Sequence, residues 1–119
     1  MEKLLKTKED KEQFLTWIAF LKAGVFKQAF HIAQTGNTYC VMGALAILTV
    51  PEEKLLKSKS SNELMGIQDY SKPQWARNLL YHCFCKIGLS PINMNDEMGL
   101  SFDEIADRLL EAYADELNP

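Results

Sequence analysis

Apolar residues recur with a helical period in three stretches of the chain, and the turn chemistry between them sets the remaining elements. In the first stretch Phe14, Leu15, Trp17, Ile18 and Leu21 fall along one stripe, the spacing of an amphipathic helix. Thr7 with Asp10 three residues on marks its start and Gly24 its stop, which predicts a helix over 8–22. In the second, Trp75, Ala76, Leu79, Leu80, Cys83, Phe84 and Ile87 form one face of a helix that starts at Ser71-Lys72-Pro73 and ends before Gly88. In the third, Ser101 and Glu104 make a capping box, and Phe102, Ile105, Ala106, Leu109, Leu110, Tyr113 and Leu117 point inward behind it.

The connecting stretches are less regular. Residues 25–32 alternate weakly, with Phe26, Gln28, Phe30 and Ile32 on one side, so they form either a short strand or an irregular connection. Gln28 is the polar member of that apolar row. Thr35-Gly36-Asn37-Thr38 is turn chemistry, and Asn37 or Thr38 can cap a second helix over 39–49. Gly43 within it implies close packing of another backbone, so this helix is expected to be central and buried. Pro51 with Glu52 and Glu53 restarts a short helix, and residues 57–63 read as an exposed loop. Leu89 to Met94 reads as extended, and Asn95 to Gly99 as a turn with Gly99 in a positive-φ position. The expected fold is mainly α (or α+β with a small β-hairpin), a compact single domain of four to five helices around the buried helix 39–49.

Composition narrows the class. At 119 residues, 47% hydrophobic and 24% charged, the chain has the makings of one core rather than two. No apolar run reaches the roughly 18 residues of a membrane span, and the opening Met-Glu-Lys-Leu-Leu-Lys is too charged for a signal peptide. A soluble, cytoplasmic protein is the expectation, and three cysteines, an odd number, fit a reducing compartment better than a disulfide framework. Charge is uneven. Residues 1–94 carry 12 Lys/Arg against 8 Asp/Glu, whereas residues 95–119 carry 1 against 8. The acidic end argues against contact with nucleic acid, and Asp103, Glu104, Asp107, Glu111, Asp115 and Glu116 read as the solvated face of the last helix.

Candidate chemistry gathers at Cys40, which follows the polar turn and opens the predicted second helix. Helix amides point outward there and favour a thiolate or an anion. A thiol hydrolase or transferase needs a base beside the nucleophile and a group to orient that base. Cys40, His31 and Asp96 are the candidate set, with His82 and Asn95 as alternates. His31 lies in the irregular stretch and His82 beside an apolar stripe, so a buried, inert thiol is the simpler reading of Cys40. His82 and Cys85 share one helix at a spacing of three, two ligands where structural zinc takes four. Asn93 to Glu104 echoes a calcium loop, but Met98 occupies the position that requires glycine. Phosphate-loop and dinucleotide glycine patterns are absent, and no cofactor or metal is called for. The stronger alternative is a polar pocket in which Gln28, Tyr39, Asn95 and Asp96 converge above Cys40. Asn95 and Asp96 have a structural reading as well, since both residue types fold turns back on their own backbone.

Trp17, Leu21 and Gly24, then Phe26-Lys27-Gln28, then Tyr39-Cys40-x-x-Gly43-x-Leu45, and finally Asn95-Asp96-x-x-Gly99-x-Ser101-Phe102-x-x-Ile105-Ala106 together resemble a family of small uncharacterised proteins of bacteriophages and prophages. The resemblance spans roughly residues 14–110. It implies a phage or mobile-element origin and life in the host cytoplasm, and it brings no activity or catalytic residue. Members often carry adjacent cysteines followed by Leu where this chain has Cys40-Val41-Met42, a departure that weighs against a paired-thiol or metal role. With that origin, the first expected function is a non-enzymatic accessory protein. It would blunt host defence or redirect metabolism by sequestering a host protein or a small, nucleotide-like signalling molecule. Phosphates would then meet helix N-termini at Tyr39 or Phe102 and the cations Lys27, Lys72 and Arg77. The second is the Cys40-dependent hydrolase or transferase. Assembly into a homo-oligomer is compatible with either.

Overall fold

The computed structural model describes residues 2–24, 27–28, 34–35, 38–39, 45 and 73–119. Among these the chain is mainly helical. Helix α1 spans Lys8–Lys22 and opens on a complete capping box: Asp10 N–H donates to Thr7 Oγ1 (3.0 Å), and the Asp10 carboxylate accepts from the Thr7 N–H. Gly24 follows the helix at φ 68°, a conformation that side chains disfavour. Helix α2 covers Gln74–Ile87 and is closed by Gly88 in the left-handed region. Helix α3, Phe102–Ala112, starts from the Ser101/Glu104 box, and after a break at Tyr113 a last turn, α4, runs Ala114–Leu117. These boundaries follow the capping and periodicity of the sequence closely.

Three two-residue strands form a small sheet, β1 Lys27–Gln28, β2 Gln34–Thr35 and β3 Thr38–Tyr39, in the order β1-β3-β2. β1 runs parallel to β3, pairing Gln28 with Tyr39, and β2 runs antiparallel to β3. The strand reading of residues 25–32 is thus realised at Lys27–Gln28. Tyr39 is a strand residue and does not open a helix: it pairs with Gln28 on one side and Gln34 on the other. Within the expected helix 39–49, Leu45 is helical and fully buried. Cys40, Gly43 and the rest of that helix, His31, the short helix after Pro51 and the loop 57–63 lie outside the described residues.

A second correction concerns Leu89 to Met94, read as extended. Residues 91–92 are helical and Asn93–Glu97 form a π-helical turn. The cause is a local box: Ser90 N–H donates to Asn93 Oδ1 (2.9 Å), Asn93 N–H donates to Ser90 Oγ (3.3 Å), and Pro91 occupies the first helical position. The π register is set by Met98 N–H donating to Asn93 O (3.0 Å), and Gly99 at φ 65° ends it.

The core joins α1, α2, the π turn and α3, with Phe14 as its aromatic hub. Its ring meets Trp17, Trp75 and Tyr113 edge-on, with centroids 6.0, 5.9 and 5.5 Å away, the favoured geometry for aromatic pairs. Helix α1 packs along α3, and Lys22 at the end of α1 makes a salt bridge to Asp107 in the middle of α3. Leu4 and Leu5 bring the N-terminal segment into the same core. The inward faces are narrower than the sequence pattern suggests: Leu15, Phe84 and Ile87 are exposed. On α2 the fully buried arc is Trp75, Ala76, Leu79 and Cys83.

Candidate binding site

The polar residues singled out in three distant parts of the sequence meet at the junction of the small sheet with the π turn. Gln28 Nε2 donates to Asn95 Oδ1 at 2.9 Å and to Leu100 O at 2.6 Å, across separations of 67 and 72 residues. Asn95 Nδ2 donates in turn to Asp96 Oδ1 at 2.7 Å. Tyr39 lies opposite Gln28 in the strand register. Four of the five candidate binding residues are therefore neighbours in space or in the ladder, and the fifth, Cys40, adjoins Tyr39 in sequence. Of the candidate catalytic set, Cys40 and His31 fall outside the described residues, and Asp96 is engaged by Asn95.

The π turn is what delivers Asn95. Its wider winding leaves the consecutive residues Met94 and Asn95 both fully buried, whereas Asp96 and Gln28 stay half-buried. A carboxamide taken out of water costs about 1–3 kcal/mol unless its donors and acceptors are matched. Gln28 and Asp96 supply that match from opposite sides of Asn95. Asn95 consequently positions the other two side chains, which stay partly open to solvent. π turns occur frequently at functional sites.

A second polar cluster, unforeseen in the sequence, lies where the N-terminal segment crosses α2 and α4. Glu116 was counted with the solvated acids, yet it is 2% exposed. Its Oε1 accepts from the Leu5 N–H at 2.8 Å, and Lys86 Nζ lies 3.9 Å from its other oxygen. His82 Nε2 donates to the Glu2 carbonyl (2.7 Å), and its Nδ1 lies 2.9 Å from the Tyr113 hydroxyl. Burial pushes the Cys83 thiol up to about 11, a shift the Tyr113 hydrogen bond and the Lys86 charge only partly oppose. Burial, with Cys83 and Glu116 alongside, also raises the Tyr113 phenol far above its usual range. A thiol held protonated in this way is a poor nucleophile.

The signal for Glu116 was present. Ile105, Leu109, Tyr113 and Glu116 continue one helical stripe at spacings of four, four and three, so an acid stood at an apolar position. Both ring nitrogens of His82 are engaged within the protein and Cys85 is exposed, so those two do not form a metal pair. Among the described residues no cluster of three or more His, Cys, Asp or Glu side chains has metal-site geometry. The N-terminus of α3 is filled by its own Ser101 and Glu104, which displaces a phosphate from that position. No described helix is long and apolar enough to cross a membrane. No protein-family model, curated protein or solved structure matches the chain.

Proposed function

We propose that the chain is a non-enzymatic binding protein whose seat is the junction of the sheet and the π turn, and that its ligand is a small nucleotide-like molecule of the host cell. The observation that supports this reading is the Gln28–Asn95–Asp96 chain of hydrogen bonds. With both Gln28 Nε2 hydrogens donated to Asn95 and Leu100, the carboxamide offers a ligand its Oε1, an acceptor for the amino group of a heterocyclic base. Asp96 adds an acceptor next to it. Asn95, held between them, orients both without reaching the surface. In the setting that the resemblance implies, the protein serves a phage as an accessory factor, sequestering a signalling molecule in the host cytoplasm and so blunting defence.

The test is native mass spectrometry of the protein purified from phage-infected and uninfected bacteria. The expected outcome is a discrete small-molecule adduct after infection. Gln28→Leu and Asp96→Asn, which alter the reachable groups and spare Asn95, should abolish it while the fold is retained by circular dichroism. Bare protein from both cultures would overturn the reading. So would an adduct indifferent to both substitutions.

A further inference from the structure

We propose that a second site, the groove between the N-terminal segment and the first half of α2, binds a small monocarboxylate with an apolar body. The groove encloses about 310 Å³, within the range of about 300–1,000 Å³ usual for ligand pockets. Leu4 and Trp75 form its floor, both almost fully buried. Gln74 and Asn78, one helical turn apart, line one wall with His82 behind them, and Lys3 and Lys6 line the other.

The ligand's chemistry follows from which lining groups are already engaged. Asp10 Oδ2 accepts from the Lys6 and Thr7 N–H groups in the α1 cap. The Glu2 carbonyl accepts from His82, and the Glu2 carboxylate faces Lys6 at 3.7 Å. Trp75 Nε1 donates to Gln13. The Asp10 and Glu2 carboxylates, the Glu2 carbonyl and the Trp75 indole are thus engaged within the protein. The side chains of Lys3, Gln74 and Asn78 make no hydrogen bond or ion pair with the described residues. An ammonium and two carboxamide NH₂ groups around an apolar floor complement one carboxylate on an apolar body. A dianion would find a single open cation, and a neutral amide would forgo the Lys3 charge.

This site shares no residue with the junction of Gln28 and Asn95, so the two proposals fail separately. The probe is benzoate titrated into the full chain and followed by ¹H–¹⁵N NMR at the Trp75 indole and the Gln74 and Asn78 carboxamides. Benzamide serves as the neutral isostere and phenyl phosphate as the dianion. Saturable benzoate shifts at these three groups are expected with a Kd on the order of 1 mM. Benzamide and phenyl phosphate should bind at least about tenfold more weakly, and Lys3→Gln or Asn78→Ala should weaken benzoate by about fivefold or more. Asp96→Asn, at the other site, should leave the benzoate titration unchanged. Equal binding of benzamide, shifts that do not saturate, or indifference to both groove substitutions would overturn the proposal.

Discussion

Among the described residues, buried polar side chains gather in two places, and they differ in what the buried groups are asked to hold. At the crossing of the N-terminal segment, Glu116 and His82 bind main-chain atoms of Leu5 and Glu2, so their work is to fasten a segment onto a finished helical core. At the junction, Gln28, Asn95 and Asp96 bind one another's side chains, with Gln28 also donating to the Leu100 carbonyl. A side chain that satisfies a backbone group cannot be traded for a ligand without leaving that group unpaired in the interior. A side chain paired with another side chain can exchange partners when a ligand offers equivalent groups. That contrast supports the proposed seat at the junction, while the Glu116 and His82 contacts fasten the N-terminal segment.

The sharpest way to break the comparison is at Glu116. Glu116→Ala strips the acceptor from the buried Leu5 N–H and the counter-charge from Lys86. The expected loss is about 2–3 kcal/mol, measured by urea unfolding. Glu116→Gln keeps an acceptor and should cost clearly less. If alanine and glutamine proved equally mild, the segment would not be fastened through Glu116, and the architectural reading of that cluster would fall.

A double-mutant cycle at the junction should give the next largest effect. Asn95→Ala, by leaving the Gln28 carboxamide without its side-chain acceptor, is expected to destabilise by about 1–3 kcal/mol. Paired with Gln28→Ala it should show a coupling of about 0.5–1.5 kcal/mol. A coupling near zero would mean that the 2.9 Å bond contributes nothing in solution and that the two amides are held by other partners.

The same contrast explains what could be read in advance. Helices α1, α2 and α3 were legible because apolar period and caps agree: Thr7 with Asp10, Ser101 with Glu104, and Gly88 each stand at the end of a periodic run. Gln28 stood out because it interrupts an apolar row, and the structure joins it to Asn95. Glu116 interrupts one too, but within a helix crowded with acids its charge matched its solvated neighbours and hid its position. The π turn was missed because an extra residue per turn leaves no periodic trace, and the Ser90-Pro91-x-Asn93 box that starts it resembles loop chemistry. Phe84 and Ile87 misled in the opposite direction, since an apolar residue at the edge of a stripe is placed by its neighbours' bulk as much as by its own hydrophobicity.

Alkaline pH offers a smaller effect that only the segment crossing should show. The Cys83 thiol rises from its ordinary 9.0 to about 11 in the folded protein. Below pH 9 it is protonated in both states and its contribution is intact. Between pH 9 and 11 the unfolded chain releases the proton while the folded one retains it, so stability falls with rising pH. Cys83→Ala should flatten the decline of the urea midpoint across that window, whatever it costs at neutral pH. The same thiol should resist iodoacetamide in the native state while Cys85, exposed on α2, reacts. Rapid native labelling of Cys83 would show that the cluster opens readily.

The smallest effect belongs to the acid side. A hydrogen bond from Lys86 holds the Asp115 carboxyl below its ordinary value of 3.8, a shift that the Lys86 charge reinforces. A depressed folded value means that the stabilisation is complete above the unfolded value and is lost as pH falls through the folded one. Asp115 is solvent-exposed, so water and salt screen the pair and its contribution is slight. Asp115→Asn should therefore leave the urea midpoint at pH 7 nearly unchanged and remove a shallow part of the loss below about pH 4. Lys86 also faces the buried Glu116 and lies over the Tyr113 ring at 5.4 Å. Lys86→Met, which keeps the stem and deletes the charge, should consequently cost more at pH 7 than Asp115→Asn does. Equal effects would place the value of Lys86 in its exposed pair and leave Glu116 held by the Leu5 amide alone.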